Sequence, residues 1–533
     1  MLLSRREICK LAALGLSGAS LAPGSFAPGS FATASAAPLL ARPLFDIREF
    51  GAAGDGKTLD TDAVNNAITA AAAAGGGIVF FPAGSYACHS IRLKSFVVLV
   101  LGPGATILAA QSGGFDSAEP NTPWEAYQDF GHNHWHNSLI WGENLQDIGI
   151  LGPGRIVALT LARDFSPGSE LPREDAPGAA NKAIALKRCA NVTLRDFAIR
   201  VSGHFGILAT GVENLVLENL KIDPNRDGMN IDCCRNVRIS GCSVNSPYDD
   251  GICLKSSYAL GEARPTENVT ISDCYVTGGF APGAMLDGSG RRLIARDFGE
   301  PTGRIKFGTE SNGGFRNITV SNCVFESCRG LALECVDGGS VEDLTFSNLV
   351  MRDLRNAPFF LRLGARLRAP PGTGVGSLRR VMISHMICDA PGNAMPAIIA
   401  GIPGHPVEDI SISDVMILQK GGVLTEMAQT RPPEEERDYP EPARFGALPA
   451  QGLFVRHARN LECRHLEIKS LVADARAFVW LEDVEGADFS GLRVSPLGGA
   501  AVMRLREVRR LQIKASPPLA EGLWNHVARA RLP

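Results

Sequence analysis

A short line recurs along most of this 533-residue chain and constrains its fold more than any other feature: an asparagine or aspartate followed by alternating aliphatic residues. It reads Asn191-Val192-Thr193-Leu194, Asn214-Leu215-Val216-Leu217, Asn236-Val237-Arg238-Ile239, Asn268-Val269-Thr270-Ile271 and Asn317-Ile318-Thr319-Val320. It continues as Asp343-Leu344-Thr345-Phe346, Asp409-Ile410-Ser411-Ile412 and Asn460-Leu461-Glu462-Cys463. The first three starts lie 23 and 22 residues apart, and later gaps of 32 and 49 leave room for loops between strands. Periods of roughly 20 to 50 residues mark solenoids and arrays. Alternation with period two buries one face of a strand, and an asparagine at each start suits a tight bend or a side-chain ladder. The pattern predicts an all-β fold: a single-stranded right-handed parallel β-helix with loops gathered on one face as a cleft.

Composition fits a large core with many turns: 45% hydrophobic, 20% charged, 58 glycines and 33 prolines. Residues 1–37 read as a twin-arginine-type signal peptide and linker. Ser4-Arg5-Arg6-Glu7-Ile8-Cys9-Lys10 precedes the apolar run Leu11 to Leu16, and Ala34-Ser35-Ala36 offers a cleavage site. That run is too short to span a bilayer, so the expected location is periplasmic or secreted, with no membrane span. Loss of its three basic residues and one acidic residue takes the formal charge from −3 to −5. No basic stripe for nucleic acid is present, and the expected state is a monomer.

Residues 44–110 are expected to form an N-terminal cap and the first coils, ahead of a β-helix catalytic domain over 111–520. In the cap, Asp60 and Asp62 offer an N-cap to a helix over Ala63 to Ala74, which Gly75-Gly76-Gly77 ends before a strand Ile78 to Pro82. The preceding glycine-rich loop lacks a phosphate-binding frame, so a helix closing the solenoid's open end is favoured. Twelve of the 13 cysteines lie beyond the signal. Cys242, Cys274 and Cys323 share one phase of the repeat, which favours an internal stack over disulfides. Neither Cys-x-x-Cys pairs nor zinc-spaced His/Cys sets occur, so neither a metal nor another cofactor is expected.

Chemistry concentrates where the repeat is most regular. Asp227, in Pro224-Asn225-Arg226-Asp227-Gly228, is followed about one coil later by Asp249-Asp250-Gly251. Residues one coil apart lie about one strand spacing, roughly 5 Å, apart in space, so three carboxylates would share one patch. Such a cluster drives pKa values apart, which acid and base catalysis at a glycosidic bond requires. Aspartate before glycine is also ordinary turn chemistry; the third carboxylate at matching phase favours the functional reading. His204, one coil earlier, is placed to bond a sugar hydroxyl or a carboxylate, against the structural role that lone histidines more often have. His132, His134, Trp135 and His136 lack a fourth metal ligand and read as a loop offering an aromatic face to sugar. The stretch Met427 to Leu448, rich in proline and glutamate, reads either as a solvated acidic loop or as a wall across one end of the cleft, which favours exo action.

These residues resemble glycoside hydrolase family 28, the polygalacturonases, within the pectate-lyase-like β-helix group. The resemblance runs over about 44 to 470 and includes Phe50 to Pro82, Asn137 to Leu145, Gly152-Pro153-Gly154-Arg155-Ile156, the family's Asn-x-Asp at Asn225-Arg226-Asp227, and its Asp-Asp at Asp249-Asp250. It implies hydrolysis of α-glycosidic bonds in pectic polysaccharide or oligosaccharide by single-displacement inversion. Asp249 would be the general acid, and Asp227 with Asp250 would activate water across roughly 6.5 to 9.5 Å. Asn225, His204 and Lys255 would line the substrate site. The family's Gly-His-Gly and Arg-x-Lys are not met, since the chain has Thr302 to Gly314 without histidine and Leu331-Ala332-Leu333-Glu334. Rhamnogalacturonan-type, galacturonate-containing fragments are therefore favoured, with Arg304, Lys306 and Glu310 as candidate replacement contacts. A β-helix polysaccharide lyase and a non-catalytic glycan-binding β-helix stay open as alternatives.

Overall fold

The computed structural model describes residues 43–129, 131–161, 176–293, 301–424, 426–495 and 499–533. The proposed signal segment lies outside them. Each repeat line becomes a strand. Ala190–Arg195, Glu213–Glu218, Arg235–Ser240, Thr266–Ser272, Phe315–Ser321 and Ser340–Arg352 stack in parallel, each pairing with the next. Inward positions align in columns: Val192, Leu215, Val237, Val269, Ile318, Leu344, Val381 and Ile410 sit in register and buried. Each aliphatic residue therefore packs on its equivalents above and below, which places the core along the axis of the solenoid.

The repeated asparagine has a stated job. Asn191, Asn214, Asn236, Asn268 and Asn317 all take left-handed φ values between 55° and 57°, a conformation asparagine tolerates better than other side chains. Their amides form a ladder: Asn214 Nδ2 donates to Asn191 Oδ1 at 2.9 Å, Asn236 to Asn214 at 3.1 Å, Asn268 to Asn236 at 3.1 Å and Asn317 to Asn268 at 3.1 Å. Cys242, Cys274 and Cys323 follow one another in a buried column, Tyr275 N donating to Cys242 O and Val324 N to Cys274 O. All twelve described cysteines are free and buried.

Two features at the ends differ from the sequence reading. The N-terminal helix runs Thr61–Ala73, but Asp60 makes no side-chain cap to it. Its carboxylate instead accepts from Ala53 N at 2.7 Å and Gly54 N at 3.1 Å, tying down the glycine-rich loop. At the other end, Gly522–Leu532 pairs antiparallel with Met503–Lys514. This last strand lies beyond the expected boundary at 520 and covers the final edge of the sheet, a sensible device where an open edge invites aggregation. No described helix is long and apolar enough to cross a membrane.

Candidate active site

The strand Asp227–Asp232 lies between Phe205–Thr210 and Ile252–Ser256, with Met229 in register with Ile207 on one side and Ile252 on the other. That register puts Asp227 opposite Asp250 at the strand starts, and Gly228 N bonds Asp250 O at 3.0 Å. The glycines after the aspartates are not turn residues. A Cβ on Gly228 would lie 2.2 Å from Gly251 O, and one on Gly206 would lie 2.4 Å from Gly228 O. Coils approach too closely here for any side chain, and the aspartates project beside a bare backbone floor.

Carboxylate oxygens of Asp227, Asp249 and Asp250 all come within 4.8 Å of one another. An inverting pair holds its carboxyl groups roughly 6.5 to 9.5 Å apart, and here the nearest oxygens lie closer than that. The reason is geometric: stacked coils impose the strand spacing of about 5 Å on residues at equal phase. Arg226 binds Asp249, its Nη2 at 2.5 Å and Nε at 3.2 Å from Oδ2. Arg304 Nε donates to Asp250 Oδ1 at 2.7 Å, and Lys306 Nζ is 3.4 Å from Asp250 Oδ2.

Protonation is uneven. Burial, then the charge of Asp249, pushes the Asp227 carboxyl well above the usual range. Burial also works against ionising Asp249, but the Arg226 guanidinium overcomes it and holds that carboxyl below its usual range. Burial and charge thus favour a proton on Asp227 over Asp249, although the sequence reading made Asp249 the acid. Asp249 is the more accessible of the two, its side chain 24% exposed against 6% for Asp227.

The residues 44–135 match the family model described as rhamnogalacturonase A/epimerase, pectate lyase-like, and residues 178–297 match that of the right-handed β-helix region. A probable polygalacturonase of Vitis vinifera is 25% identical over 389 residues, covering 69% of this chain and 73% of the relative. The chain is a polygalacturonase-like right-handed β-helix, with glycoside hydrolase relatives at moderate identity over most of its length. The family 28 exopolygalacturonase of Yersinia enterocolitica superimposes with a TM-score of 0.57 over 90% of this chain and 79% of its own, at 18% identity, a likeness of fold. A mannuronan C5-epimerase of Azotobacter vinelandii, AlgE3, is 41% identical over 246 residues, which are 40% of this chain and 12% of that relative.

Around the aspartates, this polygalacturonase-like chain uses its other candidate residues differently from the sequence reading. Arg304 and Lys306 are 3% and 2% exposed. Beyond Asp250 they meet Glu334, at 3.8 and 3.4 Å, so the glutamate at the position of the family's cation answers cations moved one coil back. The inserted segment closes over them: Arg304 Nη2 donates to Glu441 Oε1 at 2.9 Å, and Lys306 Nζ donates to the Tyr439 hydroxyl at 3.0 Å. Buried Arg362 and Arg456 hold this segment by donating to the carbonyls of Glu434, Glu435, Pro432 and Pro433, while Phe445 packs against Phe360 and Phe454. It is a fixed wall rather than a solvated loop. Arg304 and Lys306, proposed from sequence as substrate contacts, here tie the inserted segment to Asp250.

Lys255 and Glu310 likewise pair with each other at 2.6 Å, and Glu310 has no exposed surface. Burial opposes ionisation of Glu310, yet Lys255 holds its carboxyl well below the usual range. His204 Nε2 stands 3.6 Å from Asp227 Oδ2 with its ring stacked on Phe205 at 4.1 Å. Asn225 is buried at 2% exposure. Trp135 is also buried, its Nε1 donating to Thr210 Oγ1 at 3.0 Å and its ring carrying Lys187 at 4.2 Å, so it shows no face to a ligand. Sequence reasoning missed Arg226, although it is the middle residue of Asn-x-Asp. It also missed Asp129, whose carboxyl is pushed up to about 6 by burial and by Glu310 while Arg368 donates to it at 2.6 Å. Nothing in the local sequence around Asp129, Tyr439 or Glu441 signals these contacts.

Proposed function

We propose that this enzyme hydrolyses an α-glycosidic bond in galacturonate-containing pectic polysaccharide or oligosaccharide, with Asp227, Asp249 and Asp250 acting as one unit. The observation that carries this is the convergence of three carboxylates from adjacent coils, Asp249 more exposed than Asp227. Asp249, the exposed member, faces the leaving oxygen; Asp227 and Asp250, deeper in the floor, take the proton of the attacking water. Likeness to polygalacturonases over most of the chain supports the pectic substrate. Burial of Arg304 and Lys306 supports a substrate other than plain homogalacturonan, with rhamnogalacturonan-type fragments as the leading class. The wall formed by Tyr439 and Glu441 beside Asp250 supports cutting from a chain end. Export by the twin-arginine-type segment over residues 1–37 belongs to the same proposal.

Incubation with a panel of pectic oligosaccharides, followed by product analysis, tests this. Wild type should release saturated products at an undiminished rate in chelator, and Asp249→Asn should lose about 10²- to 10⁴-fold, the usual contribution of a general acid. A product that gains ultraviolet absorbance would assign the site to a lyase instead. Inversion rests on the family resemblance alone, and the anomer first seen by proton NMR decides it against the short carboxylate spacing.

A further inference from the structure

The resting arrangement poses a chemical question. The more exposed carboxyl, Asp249, is paired with a guanidinium, while burial and neighbouring charge favour a proton on Asp227, a carboxyl within 4.8 Å. Among the cations close to the cluster, Arg304, Lys306 and Lys255 are 3%, 2% and 6% exposed and held by Asp250, Glu334, Glu441 and Glu310. Arg226 differs. Its side chain is 23% exposed and its partner Asp249 is 24% exposed, so this pair borders the cleft. A carboxylate arriving with the substrate can compete for a guanidinium at that border, because Arg presents several donors and can engage a second carboxylate.

We propose that Arg226 is a specificity-determining gate: a substrate uronate carboxylate draws it off Asp249, and the proton then passes from Asp227 to Asp249 to make the acid. This rests on the hydrolytic reading given above. The steps balance. Asp227 loses its proton to Asp249; Asp249 gives it to the glycosidic oxygen as the bond to the anomeric carbon breaks; water adds hydroxyl to that carbon and its proton goes to Asp227. The site ends with Asp227 protonated and Asp249 charged, the state that burial of Asp227 and the Arg226 guanidinium on Asp249 favour, and Arg226 returns when product leaves. The groups facing Asp249 in this cycle are Arg226, Asp227, Asp250, His204 and Lys306. An uncharged substrate leaves Arg226 where it is and finds no acid. Specificity for uronates is thereby written into kcat and not only into binding.

The experiment compares an oligogalacturonate or rhamnogalacturonan fragment that wild type cleaves with the same oligosaccharide methyl-esterified, in wild type, Arg226→Gln and Arg226→Lys. Wild type should favour the acid over the ester in kcat by about 10- to 100-fold, the worth of one charge-assisted hydrogen bond. In Arg226→Gln the ratio should collapse to near unity because Asp249 is no longer restrained, and Arg226→Lys should restore part of it. A ratio unchanged in Arg226→Gln overturns the gate. So does a loss of preference confined to KM with kcat intact, since that is plain ground-state binding. If wild type cleaves no member of the pectic panel, the hydrolytic reading itself falls and takes the gate with it. Equal circular dichroism and melting of the three proteins exclude misfolding as the cause of a change.

Discussion

Arg304→Met separates a buried tie from a substrate contact. In the structure Arg304 serves three carboxylates: Asp250 at 2.7 Å, Glu441 at 2.9 Å and Glu334 at 3.8 Å, with exposures of 5%, 19% and 0%. Methionine keeps much of the volume and removes the charge, leaving Asp250 and Glu334 with Lys306 and Glu441 with Arg329. Removing one partner of a buried pair costs about 3–5 kcal/mol. The unit Arg42–Pro533 unfolds with an entropy of about 1 kcal/mol/K on the usual per-residue scale, so a cooperative melt would fall by only about 3–5 °C. Solenoid coils depend mainly on their neighbours, so the loss should be larger locally. Amide hydrogen exchange should show faster opening in Ile252–Ser256 and Ile305–Ser311, with strands far along the axis unchanged. Arg304→Met,Glu441→Gln, which removes one charge of each sign, should recover part of the cost. Should Arg304→Met leave exchange and Tm untouched while KM climbs, the guanidinium meets substrate and the sealed network is wrong.

Three further outcomes are expected. Asp129 has its folded pKa raised to about 6, above the unfolded value near 3.9, so its favourable term is complete below pH 4 and lost as pH rises through 6. Asp129→Asn should therefore melt higher than wild type at pH 8 and match it below pH 4; a constant offset at all pH values would refute the raised Asp129 carboxyl. Asn236→Ala puts a Cβ-bearing residue without local side-chain bonding at φ 57° and cuts two rungs of the ladder, costing about 1–2 kcal/mol, and Asn236→Gly should cost less, as read by chemical denaturation. Truncation after Ala520 strips the antiparallel strand Gly522–Leu532 from the last parallel edge and should promote association by light scattering, whereas an unaltered monodisperse protein would show that the edge needs no cover.

What the sequence determined by itself was everything that repeats. A left-handed bend filled by asparagine and an alternation of aliphatic residues are local requirements, met separately in each coil, so the β-helix and the meeting of Asp227 with Asp249-Asp250 follow from spacing alone. The cysteine column was legible for the same reason. Tertiary structure alone decided what happens between coils and inserted segments. Glu441 reaches Arg304 across 137 residues and Arg368 reaches Asp129 across 239, and no local pattern encodes pairings at such separations. Those contacts decide whether a cation is free for substrate or already neutralised. Protonation was beyond the sequence too, because three identical side chains differ only in burial and neighbouring charge. Asp227 keeps the proton since it lies deep beside other carboxylates, and Asp249 gives it up since Arg226 lies against it.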